Sequence, residues 1–289
     1  MLTLIATFAD HAIADPLPTA PTQYPGGELG EMVKLGEDII MHTNTHPLTR
    51  DLVGSKLTCS SCHIDGGKAQ TMGNFLGTAS TFPAYFDREK TVQTLQDRIA
   101  NCFMRSLNGK RPIIDSKASI AMTAYVTWLS EGQPIKLNTS MLSPPDKTLV
   151  AMMKGTAHAN YVSGGKIYAE RCSACHGGNG EGTEIAPPLW GSDSYNTGAG
   201  MSKPVKTASW VKQNMPKGDA NLSNQEAVDV SLFVDAQPRP AFDLQAHLLP
   251  KEQMGYYNAA LVDEKTNARS NLKALGLDID AIRGDRLIP

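Results

Sequence analysis

Two pentapeptides carry most of the chemistry legible in this 289-residue chain: Cys59-Ser60-Ser61-Cys62-His63 and Cys172-Ser173-Ala174-Cys175-His176. Two thiols at this spacing add across the vinyl groups of a haem, and the histidine that follows is thereby held beneath the iron as proximal ligand. A thioredoxin-like redox pair shares the Cys-x-x-Cys spacing but belongs beside a βαβ pattern, which is not evident here. A zinc site built from two such pairs gives no reason for a histidine after both. The pattern predicts two covalently bound haem c groups. Cys59 and Cys62 attach one and Cys172 and Cys175 the other, with His63 and His176 on the irons.

The distal ligands follow from an internal repeat. Cys102 lies 40 residues after Cys62, and Met215 lies 40 residues after Cys175. Between these anchors Phe75-Leu76-Gly77 matches Leu189-Trp190-Gly191 to within one position, and Asn101-Cys102 aligns with Asn214-Met215. Met215, followed by Pro216, is the expected sixth ligand of the second iron, and His/Met ligation raises a haem's potential. Met201 is the runner-up, and a methionine that simply packs is the plain alternative. Cys102 holds the matching place in the first half. It is the fifth of five cysteines and has no partner for a disulfide once the other four bind haem. A charged sulfur ligand there would lower the first haem's potential; otherwise Cys102 is a buried thiol and Met104 or Met122 takes the position.

The surroundings of Cys102 suggest more than electron storage. Val92, Leu95, Ile99 and Phe103 recur at three and four residues, predicting a helix from Thr91 to Leu107 that stops at Asn108-Gly109. On it Arg98, Cys102 and Ser106 are spaced i, i+4 and i+8 and share one side. Between Asp87 and Arg111 six basic residues stand against three acidic ones, in a chain of net charge −2. Lys90, Lys110 and Arg111 read as a solvated face or as partners of haem propionates. Arg98, on the ligand's side, suits an oxyanion, because a guanidinium fork matches a sulfonate as it matches a carboxylate.

These residues need a scaffold of the order helix, haem motif, irregular loop, distal ligand, closing helix, and the chain supplies it twice. Leu35 to Ile40 and Gly164 to Tyr168 lead into the motifs; Ile120 to Leu129 and Ala227 to Val234 close them. The fold class is therefore all-α, with two tandem cytochrome c-like domains at 25–132 and 148–240. The Pro-rich stretch 133–147 joins them, 241–289 forms a C-terminal extension, and 1–20 is a signal remnant or a disordered N-terminus. Aromatic residues make up only 6% of the chain, a deficit that two large apolar cofactors would offset. The near-neutral charge argues against nucleic acid as partner. No run approaches the length of a membrane span. Covalent haem attachment places the protein in the periplasm, and Ala12-Ile13-Ala14 has the form of an export cleavage site, although no basic residue precedes it.

Leu57-Thr58-Cys59-Ser60-Ser61-Cys62-His63 with Asp65-Gly66-Gly67, then Leu95-Gln96-Asp97-Arg98-Ile99 and Cys102-Phe103-Met104-Arg105-Ser106-Leu107-Asn108-Gly109, resemble the thiosulfate dehydrogenase/tetrathionate reductase family of dihaem cytochromes. Ser194 to Met201 and Asn214-Met215-Pro216 extend the resemblance, which runs from about Leu35 to Pro240. It implies an enzyme that joins two thiosulfates into tetrathionate with release of two electrons, or runs the reverse. Electrons would pass from haem 1 to haem 2 and on to a soluble or membrane-associated c-type cytochrome. It implies Cys102 as ligand at the active-site haem, Arg88, Arg98 and Ser106 around the substrate, and Lys68 as a further candidate. Some members carry a lysine beside the distal methionine and exchange ligands; Asn214 stands there here, so steady His176/Met215 ligation is expected. The rivals are a non-catalytic dihaem electron shuttle, a dihaem peroxidase, and a sulfur-oxidation complex subunit that loads a carrier protein. A shuttle has no need of the Arg98/Cys102/Ser106 alignment, a held sulfur ligand disfavours a peroxidase, and the carrier-loading subunit would turn over only with its carrier present.

Overall fold

A computed structural model describes residues 18–137, 145–153, 157–250 and 264–283. The export-signal reading falls on residues 1–17 and the middle of the Pro-rich stretch on 138–144, both outside the described residues. Helices α1 (Gly27–Met41), α2 (Leu95–Arg105) and α3 (Lys117–Trp128) form the first half, with α1 and α2 both packed on α3. The second half contains α4 (Lys147–Met152), α5 (Ala157–Arg171), α6 (Ser173–His176), α7 (Pro204–Asn214) and α8 (Asn224–Asp235), with α5 and α7 packed on α8. Long loops with short 3₁₀ turns carry the chain from each haem motif to the next helix.

Each half brings its entry helix against its closing helix by the same device. A Cβ on Gly36 of α1 would lie 2.0 Å from the Ala121 carbonyl oxygen, and one on Gly164 of α5 would lie 2.0 Å from that of Asp229. Neither helix pair could approach so closely around a methyl group. In an isolated helix, Gly→Ala gains up to about 1 kcal/mol. Gly164→Ala is nevertheless expected to destabilise the haem-loaded protein by about 1–3 kcal/mol, because the overpacked backbone must part. Thermal unfolding checks this, and an unchanged or raised Tm would contradict the close-approach argument.

Two antiparallel ribbons interrupt the helical pattern: β1 (Ala84–Phe86) with β2 (Thr91–Gln93), and β3 (Phe242–Asp243) with β4 (Lys265–Thr266). The first corrects the helix predicted from Thr91. Thr94 and Asp97 form a capping box, the Thr94 hydroxyl accepting from the Asp97 N–H while the Asp97 carboxylate accepts from the Thr94 N–H, so α2 starts at Leu95. The β-branched Thr91 and Val92 pair with the strand before them instead.

Arg111 is a second correction. It is not solvated but 1% exposed, 2.9 Å from Asp97, and its Nε donates to Asn101 at 3.2 Å. A buried guanidinium needs such a partner, and this one ties the loop after α2 back onto its first turn.

The halves are not independent. Tyr195, Ala199 and Met201, from the second half, pack into the core of Val33, Ile39, Leu76, Phe103, Met122 and Tyr125 in the first. The C-terminal extension fastens both. Phe242 and Leu244, the latter opening α9 (Leu244–His247), enclose Met104. The buried residues Leu272 of α10 (Ala268–Lys273) and Ile282 of α11 (Ile279–Arg283) join Val228 and Leu232 of α8.

Candidate active site

The first haem motif sits in a tight turn capped by Thr58, whose hydroxyl accepts from the Ser61 N–H. His63 follows with its Nδ1 2.5 Å from the Gly73 carbonyl oxygen, which makes Nδ1 the protonated nitrogen and leaves the Nε2 lone pair open. Burial holds its pKa down at about 4, so the ring is neutral, as an iron ligand must be. Burial likewise pushes the Cys59 and Cys62 thiols up to about 12. The second motif repeats the arrangement: His176 Nδ1 lies 2.8 Å from the Pro187 carbonyl oxygen, and burial lowers this histidine too. In each half, then, two cysteines and a neutral, correctly oriented imidazole stand together. These side chains fit a covalently attached haem c.

Helix α2 presents Arg98 and Cys102 together, as their spacing predicts. Arg98 Nη1 donates to Cys102 Sγ at 2.8 Å, and the charge of Cys102 raises the guanidinium further above its ordinary value. Ser106 caps the helix one turn later, its N–H bonded to the Cys102 carbonyl at 2.8 Å. The charges of Cys59 and Cys62 both feel Cys102, so this sulfur lies on the motif's side of α2. The competing methionines are occupied elsewhere: Met104 packs under Phe242 and Leu244, and Met122 is in the core.

Arg88, in the turn between β1 and β2, joins this group. Burial and the charge of Arg105 lower its pKa, with Arg98 adding to the effect, while its Nε donates to Glu89 at 2.9 Å. Glu89 is 2% exposed and lies 3.6 Å from Arg105 Nη2; Arg105 also pairs with Glu264 of the C-terminal extension and stacks on Phe242. Glu89 thus anchors the cationic hairpin turn to α2. Lys68, by contrast, is engaged in an ion pair with Glu37 at 2.8 Å.

Sequence reasoning missed a cation from the other half. Lys206, in the first turn of α7, is half-buried and forms no ion pair with the described residues. Burial and the charges of Lys203, Arg98 and Arg88 lower its pKa to about 8. No local pattern marks it, because Arg98 and Arg88 are more than 100 positions away in the chain.

Helix α7 also links the two motifs. The Trp210 indole N–H donates to the Cys62 carbonyl at 2.9 Å. Gln213 accepts from the Met72 N–H at 2.8 Å, and Asn214 accepts from Thr71 at 2.6 Å while donating to the Met72 carbonyl at 3.2 Å. The residues just before Met215 therefore grip the loop whose Gly73 orients His63. Asn214 is committed to these bonds. Met215 itself caps α7 and is half-buried, whereas Met201 packs toward the first core.

Comparison with known proteins adds to this geometry. Residues 52–135 match the SoxA/TsdA cytochrome c domain, and residues 161–237 match the cytochrome c domain. The chain is 37% identical to thiosulfate dehydrogenase of Thiomonas intermedia over 77% of its own length and 71% of that protein's. It is 40% identical to thiosulfate dehydrogenase of Allochromatium vinosum over 75% and 82% respectively. It belongs to the thiosulfate dehydrogenase family. In structure it resembles the thiosulfate dehydrogenase (TsdBA) of Marichromatium purpuratum in its as-isolated form, at TM-score 0.68 and 33% identity. That match covers 78% of the chain and half of the longer TsdBA chain. Like other members of the thiosulfate dehydrogenase family, the protein is a dihaem c-type cytochrome oxidoreductase, with one covalently bound haem c in each of its two cytochrome c domains. Among the described residues no helix is long and apolar enough to cross a membrane.

Proposed function

We propose that this chain interconverts thiosulfate and tetrathionate, 2 S₂O₃²⁻ ⇌ S₄O₆²⁻ + 2 e⁻, at Cys102, in the bacterial periplasm, with a c-type cytochrome as external electron partner. Cys59, Cys62 and His63, with Cys102, would hold the first haem, and Cys172, Cys175 and His176, with Met215, would hold the second. Haem c supplies one-electron redox chemistry, and two such centres suit a two-electron couple.

The chain's own residues supply the rest. Two thiosulfate dianions repel each other, and the Arg88 and Arg98 guanidinium groups offset that repulsion where the anions must meet. Cys102 sulfur takes the sulfane sulfur of the first thiosulfate: CysS⁻ + S₂O₃²⁻ gives CysS–S₂O₃⁻ and two electrons. The second thiosulfate attacks that outer sulfur, releasing tetrathionate and restoring CysS⁻. The observation that carries the reading is the 2.8 Å contact between Arg98 Nη1 and Cys102 Sγ, a charged donor on the sulfur that an electron shuttle has no use for.

Anaerobic mixing of the oxidised protein with thiosulfate tests it. The haem absorption bands are expected to shift to the reduced form as tetrathionate accumulates. Tetrathionate should in turn reoxidise a protein reduced with a dye. Bands that respond to neither anion would leave only electron carriage.

A further inference from the structure

Helix α7 and the loop before it form the face that the second half turns toward the first. Asn196 donates through Nδ2 to the Met104 carbonyl at 2.8 Å, and its N–H bonds the Arg105 carbonyl at 3.3 Å. Tyr195, Ala199 and Met201 pack into the first core. Thr207 donates to the Met201 carbonyl at 2.8 Å and to Asp235 at 2.7 Å, fixing the first turn of α7 to that loop. Lys206 precedes Thr207 on this turn, and its stem passes beside Gly200, where a side chain would meet Lys206 Cδ at 3.9 Å.

We infer that Lys206 is a substrate-binding residue of the thiosulfate site, so that the anion pocket is assembled by both halves: Arg88 and Arg98 from the first and Lys206 from the second. The inference rests on the proposed thiosulfate chemistry at Cys102. Three observations support it. The helix that bears Lys206 reaches the first haem motif through Trp210, one turn further on, and the loop before it docks on the end of the helix that bears Arg98 and Cys102. The lysine is half-buried without a carboxylate partner among the described residues, and withdrawing an ammonium from water costs free energy unless an opposite charge meets it. Its ammonium feels Lys203 and also Arg98 and Arg88 of the first half, and Arg98 is the cation that touches Cys102. Converging like charges destabilise one another unless an anion joins them. A reaction that brings two thiosulfate dianions to one sulfur supplies that anion. The two thiosulfates carry four negative charges between them, and two guanidinium groups balance only half.

The test uses the full-length, haem-loaded protein with wild-type Lys206 and the variants Lys206→Ala, Lys206→Arg and Lys203→Ala. Thiosulfate is titrated calorimetrically into protein reduced with titanium(III) citrate, which has no capacity to oxidise it. Thiosulfate oxidation is followed separately with ferricyanide. Lys206→Ala is expected to weaken binding and raise KM about 10- to 100-fold, the loss of one hydrogen bond to a charged group. Haem content and spectra should not change, Lys206→Arg should restore most of the affinity, and Lys203→Ala should change KM less than threefold. Lys206→Ala values within twofold of wild type would overturn the assignment, as would an equal effect of Lys203→Ala, which would mean diffuse attraction. Wild-type protein that neither binds nor oxidises thiosulfate would instead refute the underlying function.

Discussion

Cys102→Gly is expected to leave two haem groups on every chain and to lower thiosulfate turnover by at least about a thousandfold, the scale of losing a covalent nucleophile. Haem attachment depends on Cys59, Cys62, Cys172 and Cys175, and none of them bonds to Cys102 among the described contacts. Helix α2 is held by its Thr94/Asp97 capping box and by buried Phe103, so glycine in its last turn costs helix propensity of only about 1 kcal/mol. What disappears is the one sulfur that Arg98 contacts, and with it both the proposed distal ligand of the first haem and the acceptor of the first sulfane sulfur. Haem content by the pyridine haemochrome assay and steady-state oxidation of thiosulfate with ferricyanide check the two halves of the statement. Turnover within tenfold of wild type would remove Cys102 from the reaction.

The parts of this molecule that sequence made legible are local. The two pentapeptides, the 40-residue register that pairs Cys102 with Met215, and the Arg98/Cys102 step of one helical turn each involve residues close in the chain or a repeated spacing. What stayed hidden comes from long-range assembly. Lys206 comes under the charges of Arg98 and Arg88 only when the second half docks. Arg105 stands in the basic run but is 2% exposed, paired with Glu89 and with Glu264 far down the chain. The 241–289 extension had no recognisable pattern, yet its Phe242, Glu264 and Leu272 fill gaps in both halves. Amphipathic periodicity says which face a helix buries, but not which distant segment will cover it.

That long-range assembly gives the substrate end of the site its rigidity. Glu89 receives Arg88 on one side and faces Arg105 on the other, and Arg105 reaches the extension through Glu264. From the opposite direction, Asn196 pins the end of α2 through the Met104 carbonyl. The cations around Cys102 are thus braced by buried partners on three segments. A site that must overcome repulsion between anions gains from such bracing, because donors already in place need no reorganisation when the anions arrive.

Arg98→Met is expected to lower kcat/KM for thiosulfate about 10²- to 10³-fold, the usual effect of deleting one preorganised charged donor from a developing transition state. Arg98 differs from the other cations because it touches the proposed reacting sulfur itself, at 2.8 Å. Its loss therefore acts twice, removing an anion contact and leaving the sulfur's charge without its nearest counter-charge in a partly buried place. Arg98→Lys separates these roles. The ammonium keeps the charge but lacks the planar fork, so it should recover part of the loss in KM and little of that in kcat. The haem spectrum provides a second readout: if the guanidinium polarises Cys102, the bands of the first haem should shift in Arg98→Met and return toward wild type in Arg98→Lys. A kcat/KM for Arg98→Met within threefold of wild type, with unshifted bands, would reduce the contact to packing. The charge that orders Cys102 for sulfur chemistry would then have to come from Arg88 or from the second half of the chain.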